Sequence, residues 1–196
     1  MIVLAVALVL AADTVGAYRL IYKEQLYELY HVHLYQYPER IAENVRWLQM
    51  ALEADFANPL YALAEIENKT EWERYRTLFM MHVNLKLVEL HLRWASKYNK
   101  QAAYFYNAPW RDDNLESLER AESLFEVALA YWEEALGWSE EAWRLQFVHL
   151  EEIQNWADEN HRIENGELDY EAIIERHLRR LEAVRAEFEA MDENTY

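Results

Sequence analysis

Histidine and acidic residues are the first candidates for chemistry in this chain. Glu28-Leu29-Tyr30-His31 has E-x-x-H spacing, and Asp158-Glu159-Asn160-His161 is a near relative. On a helix, positions i and i+3 share a face, so such a pair can present a carboxylate and an imidazole to one metal. Di-iron helical bundles use two E-x-x-H helices and two further carboxylates. Only one strict motif occurs here, and 36 acidic residues make chance matches frequent. His31 and His33 diverge on a helix, and His82 and His91 also fall on different faces. Capping or surface histidine is the simpler reading. Serines at 96, 117, 123 and 139 lie in no G-x-S-x-G turn. Three glycines cannot build a phosphate-binding loop. The pairs Glu133/Glu134 and Glu151/Glu152 are adjacent and diverge on a helix. Cysteine is absent, which removes disulfides, thiolate nucleophiles, iron–sulfur clusters and Cys-based zinc sites. The expectation is a protein that is not an enzyme, with no cofactor and no metal site.

Aromatic residues are more informative, with eight Trp, 14 Tyr and six Phe. Tyr and Trp combine large contact area with a polar handle, and binding hot spots favour them. Tyr104-Phe105-Tyr106-Asn107-Ala108-Pro109-Trp110 gathers four rings at a helix end and turn. Trp72 and Tyr75, with Tyr61 upstream, form a second group. Tyr61, Trp72, Tyr75, Tyr104, Tyr106 and Trp110 are the candidate partner-binding residues. The competing reading is packing between helices.

Charge is divided unevenly along the 196 residues. Residues 1–111 carry 12 acidic and 12 basic side chains, and residues 112–196 carry 24 and 7, so the formal −17 lies wholly in the second segment. No basic footprint exists to neutralise phosphates, which argues against nucleic acid as a partner. The acidic half is either a docking face for a basic partner or a solvated helix surface.

The elements that position these residues are helical. Hydrophobic residues make up 53%, enough for a core, while Gly and Pro occur only three times each. A strand-rich fold needs more turns than that. In the Tyr-rich segment 19–37, Leu26, Leu29, Tyr30 and His33 have helical spacing. Pro38 suits the first turn of a new helix, lined by Ile41, Val45, Leu48 and Leu52. Asn58-Pro59 breaks it, and a short helix is expected over Pro59–Glu67. Thr70-Glu71-Trp72-Glu73 reads as a capping box opening a helix to about Tyr106, with a break near Ser96–Asn99. Asp113 and Glu116 repeat that pattern ahead of Leu118, Ala121, Leu124, Phe125, Ala128 and Leu129. Gly137 then reads as a helix stop and Ser139 as the next cap. A helix over 140–164 follows, with Gly166 as its stop. Asp169 caps a last helix, 170–190, with Ile173, Ile174, Leu178, Leu181, Val184 and Phe188 inward. Short links favour antiparallel neighbours. The expected fold is all-α: antiparallel helical hairpins in a TPR-like short solenoid or an irregular helical bundle. Residues 18–190 read as one domain and 191–196 as a polar tail.

Ile2–Ala12 is an unbroken apolar run, the length of a signal-peptide core and too short to span a bilayer alone. Residues 1–17 are expected to be a signal peptide or an N-terminal anchor, with membrane association through residues 1–22; a buried first helix is the third reading. No Lys or Arg precedes the run, which departs from the signal-peptide pattern. Ala51-Leu52-Glu53-Ala54-Asp55 with Asn58-Pro59-Leu60-Tyr61-Ala62-Leu63-Ala64 resembles a junction between tetratricopeptide units. Leu118–Ala135 is similar to the second helix of such a unit, although no clean 34-residue period runs through the chain. The stretches 58–69, 104–110 and 191–196 resemble an exported spirochaetal family, the TPR-like components of the periplasmic flagellar collar. That resemblance implies a structural role around the rotary motor, with protein partners and no catalysis; it carries over no functional residue.

Together these readings lead to the expectation of a non-catalytic scaffold or adaptor that binds other proteins in the cell envelope, periplasmic or otherwise exported. One alternative is a solute-binding helical module with an aromatic pocket. Another is a carboxylate-metal helical-bundle enzyme.

Overall fold

The computed structural model describes residues 21–192 and 195. The expected leader or anchor, residues 1–17, lies outside the described residues. The described chain is all-α. Six helices follow in order: α1 (Lys23–Gln36), α2 (Ile41–Glu53), α3 (Lys69–Ser96), α4 (Arg111–Trp143), α5 (Gln154–Glu164) and α6 (Tyr170–Glu189). Short 3-10 turns at Pro59–Tyr61, Phe105–Trp110 and Glu151–Ile153 join them.

Helix α3 is the axis of the molecule. No Gly or Pro interrupts it, and its apolar residues are distributed around its circumference. Leu78, Phe79, Met81, Val83, Leu85, Leu87 and Val88 are all buried. A helix apolar on most sides must be enclosed. Its most extensive partner is α4. The two run antiparallel: Arg74 at the start of α3 meets Ala142 near the end of α4, and His91 meets Tyr131 in its middle. Helix α6 runs antiparallel along α4, from Trp132–Tyr170 to the Arg111 contact with Phe188. Small residues Ala121, Ala128, Ala135 and Ala142 recur every seven positions on α4, fully buried. They let its neighbours approach closely. With α3 and α4 spanning 28 and 33 residues, the architecture is an irregular antiparallel bundle.

The helices α1 and α2 form an antiparallel hairpin laid on α3. Ile41, Val45 and Leu48 are buried as the spacing predicts, and Leu52 packs at the margin. The buried Lys23 ammonium donates to the carbonyl oxygens of Ala51 (3.0 Å) and Leu52, where the α2 dipole is negative. Burial still holds Lys23 below its ordinary pKa. Glu24, also buried, accepts from the Ala57 N–H (2.9 Å) and the Tyr75 hydroxyl (3.3 Å). These two side chains fasten the α2–α3 connection.

Several boundaries differ from the sequence expectation. Helix α2 starts at Ile41, after a turn holding Pro38. The helix expected over Pro59–Glu67 reduces to one 3-10 turn, and beyond it the Leu63 N–H donates to the Tyr75 hydroxyl instead of to a helical carbonyl. Helix α3 starts at Lys69, with its cap two residues before the expected Thr70: Asn68 Oδ1 accepts from the N–H groups of Thr70 (3.0 Å) and Glu71 (3.1 Å). It ends at Ser96, within the expected break. Asp113 caps nothing, since α4 already begins at Arg111. Gly137 and Ser139 lie inside α4, which continues to Trp143. Packing of Ala135, Ser139 and Ala142 outweighs the weak breaking tendency of one glycine. The helix expected over 140–164 is broken at 144–153. Gly166 does terminate α5: at φ 71° it lets its own N–H reach Ile163 O (2.9 Å) and the Glu167 N–H reach Arg162 O (2.8 Å). Asp169 caps α6 as expected, accepting from the Ala172 N–H at 2.9 Å.

The two glycines should respond oppositely to alanine. An added Cβ at Gly137 meets nothing within 4 Å, so Gly137→Ala should raise stability by about 0.5–1 kcal/mol. Gly166→Ala should lower it by about 1–2 kcal/mol, the cost of a left-handed L-residue. Urea unfolding of both variants tests this; destabilisation by Gly137→Ala would show that its helix needs the glycine.

Candidate functional site

Among the described residues, the most chemically suggestive cluster is buried between α1, α3 and α5. His82 on α3 uses both ring nitrogens. Its Nδ1 faces the Glu159 carboxylate of α5, and its Nε2 lies 2.7 Å from the Tyr27 hydroxyl of α1. Trp156 stacks on the imidazole at 4.9 Å and 22°. Lys86 sits 3.4 Å from Glu159 and 3.0 Å from Glu89, which in turn accepts from the Tyr170 hydroxyl.

Acid, imidazole and hydroxyl are thus arranged in series, the order of a general-base relay. The electrostatics oppose its use as one. Burial pushes the Tyr27 hydroxyl far above its ordinary pKa, and the Glu159 charge adds to this. Activation of a hydroxyl requires the reverse. Burial lowers the His82 pKa despite the Glu159 contact. Burial also disfavours charge on Glu159, yet hydrogen bonds from His82 and Lys86 and the Lys86 charge hold its carboxyl below the usual range. The consistent state is neutral His82 donating from Nδ1 to ionised Glu159 and accepting from Tyr27. This is a three-helix tie.

The E-x-x-H motifs assemble nothing similar. Glu28 and His31 are exposed on α1, and His33 is engaged by Asn44 (2.8 Å) and Glu43 (2.9 Å) of α2. Among the described residues, no group of three or more His, Asp or Glu side chains is placed to hold a metal ion.

The six candidate aromatic residues separate into distinct environments. Tyr75 is fully buried and bonded to Glu24, so it is a core residue and presents no surface to a partner. Trp72 stacks on it at 5.3 Å, half-buried. Tyr61 is exposed beside Leu60 on the 3-10 turn, apart from both. Tyr104, Tyr106 and Trp110 are all exposed, as is Phe105 between them. Tyr104 and Tyr106 stack at 5.2 Å with nearly parallel rings. This ring cap sits where α4 begins and α6 ends. Arg111 fixes it there, donating from Nε to Phe188 O at 2.9 Å. Beside it opens a concavity of about 740 Å³ lined by Pro109, Trp110, Asp112, Asp113, Met191 and Asp192, among others.

A second surface was not legible in sequence. Phe56, Met80, Trp138 and Leu145 line an open groove of about 390 Å³ between α3, α4 and the α2–α3 connection. Trp72 extends it in a neighbouring depression. Trp138 was hidden because Gly137 and Ser139 read as a link between helices. The continuous heptad of buried alanines on α4 was the available signal.

A family model described as a domain of unknown function (DUF8513) matches residues 70–191. The chain belongs to this family. The matched range takes in α4 to α6 and nearly all of α3, with His82, Trp156, Glu159, Trp138 and the ring cap; the α1–α2 hairpin and Tyr27 precede it. Comparison with curated proteins and with solved structures finds no match. No helix among the described residues is long and apolar enough to cross a membrane.

Tyr27→Phe should cost about 1–3 kcal/mol, because it leaves a buried His82 nitrogen without its donor. Chemical denaturation tests this; a change near zero would show that the tie contributes nothing to stability. The buried imidazoles also set the acid response. Burial lowers the pKa of His82 and His91 below the ordinary 6.5. Below that pH the unfolded chain binds more protons than the folded one, so stability is retained above about pH 6.5 and lost on acidification. The lowered Glu159 adds to the loss as pH falls past the carboxylate range. The urea midpoint should therefore be lower at pH 5 than at pH 7; an equal or higher midpoint would contradict the assignment.

Proposed function

We propose that the chain is a non-catalytic scaffold or adaptor that binds other proteins in the cell envelope. The carrying observation is the ring cap. Tyr104, Phe105, Tyr106 and Trp110 are 49–67% exposed on one short segment, although such rings are costly to leave in water. A rigid turn bearing aromatic side chains suits a protein contact, because few rotamers are lost on binding. Arg111 and the start of α4 supply the rigidity. The apolar run Ile2–Ala12 supports export, with residues 1–17 as leader or anchor and membrane association through residues 1–22. The resemblance of 58–69, 104–110 and 191–196 to exported spirochaetal proteins supports the periplasmic flagellar collar as its location.

A solute-binding module is the second reading, favoured by the Phe56–Trp138 groove. That groove is open along its length, whereas small-molecule sites enclose most of their ligand. The adaptor reading is therefore preferred.

In-cell crosslinking followed by affinity capture from solubilised envelope tests the proposal. Trp110→Ala should leave the helical circular dichroism unchanged and lower capture of envelope proteins at least about tenfold, as loss of a hot-spot tryptophan does. Recovery of the protein alone, without partners above background, would overturn the adaptor reading. Unfolding by Trp110→Ala would show that the ring belongs to the core.

A further inference from the structure

We propose that the ring cap recognises cationic side chains: it takes an Arg or Lys of a basic, apolar-containing polypeptide segment between Trp110 and Asp113. The proposal rests on the adaptor reading and names the chemistry of its partner. Three observations converge on it. The first is the ring itself. Trp110 is 57% exposed, lines the concavity and, among the described residues, stacks on no other ring. Tryptophan is the strongest aromatic acceptor for a cation.

The second is the charge of the concavity beside it. Asp112, Asp113 and Asp192 line it against a single base, Arg111. The Arg111 guanidinium is already engaged by Phe188 O, Glu189 O and Asp112. Asp113 is exposed and forms no ion pair among the described residues. Among the described residues, no cation pairs with Asp113, which lines the same concavity as Trp110, three residues on in the chain.

The third is the surrounding field. Residues 112–196 carry the whole net charge of −17, so an acidic partner is repelled and a basic one drawn in. Arg has the geometry for this place, lying flat on an indole while its fork reaches a carboxylate. Its aliphatic stem, with neighbouring apolar residues, covers Pro109 and Met191. The α3–α4 groove has no such bias: Arg76 and Arg144 there are matched by Glu73 and Glu141.

The test uses the full chain and a short fluorescein-labelled peptide alternating Arg with Leu, read by fluorescence anisotropy at physiological ionic strength. A citrulline-for-Arg peptide keeps the shape and removes the charge. The Arg peptide should bind, the citrulline peptide should bind at least tenfold more weakly, and Trp110→Ala and Asp113→Asn should each weaken the Arg peptide about tenfold. Glu133→Gln/Glu134→Gln, on the exposed face of α4, should leave binding within twofold. Equal binding of the two peptides would overturn the proposal. So would a loss in Glu133→Gln/Glu134→Gln as large as that in Asp113→Asn, which would mean attraction to acidic surface alone. Free arginine matching the peptide's affinity would overturn the polypeptide assignment. Trp110-dependent capture from envelope alongside equal binding of the two peptides would sink this inference and leave the adaptor reading standing. Failure of both would sink both.

Discussion

Helix α3 is enclosed on nearly every side, so each polar side chain it carries inward must find its partner within the protein. Arg74 reaches the carbonyl oxygen of Ala142 and, at 3.1 Å, Asn160 Oδ1. His82 takes Tyr27 and Glu159, while Asn84 and His91 turn back to the carbonyls of Met80 and Leu87. Leaving one such group unsatisfied costs as much as several good contacts supply. Neighbouring helices are therefore held in register by polar demands as well as by apolar burial. Arg74 illustrates the balance: burial brings its pKa down to about 10, and the negative end of α4 supplies the compensation that no carboxylate provides.

The same constraint ties chemistry-bearing residues into the packing. Glu159, His82 and Tyr27 stand in the sequence of a proton relay, but dehydration moves the hydroxyl away from ionisation. Trp156 and Phe79 enclose the site with rings at 5.8 and 5.5 Å from Tyr27. Exposed rings are left at the 104–110 segment, which the core does not absorb. The ring cap is held by Arg111 against the end of α6, so its aromatic surface is kept in place without being buried.

The α1–α2 hairpin precedes the matched family range, yet it completes the buried tie. Tyr27 closes the His82 hydrogen bonds, and Glu24 satisfies Tyr75. Lys23 and Glu24 draw the α2–α3 connection onto the bundle, which brings Phe56 beside Trp72 at 5.7 Å and forms one wall of the groove. The hairpin is thus part of the folded unit in energetic terms as well as in space.

Sequence alone determined the helical class, the α2 and α6 core faces, the break near Ser96, and the Gly166 and Asp169 boundaries. Each follows from local patterning: a period of 3.6, a cap, or a glycine that takes positive φ. It also singled out the segment 104–110, because four rings in seven residues cannot all turn inward. Only tertiary structure decided that α4 runs through Gly137, that the 59–67 segment is mostly irregular, and that Tyr75 is core while Tyr61 and Trp110 are exposed. Those outcomes depend on partners distant in the chain. Glu24 lies 51 residues from Tyr75, and Glu159 lies 77 from His82. Local propensities differ by less than the burial of one large side chain, so packing overrides them wherever the two conflict.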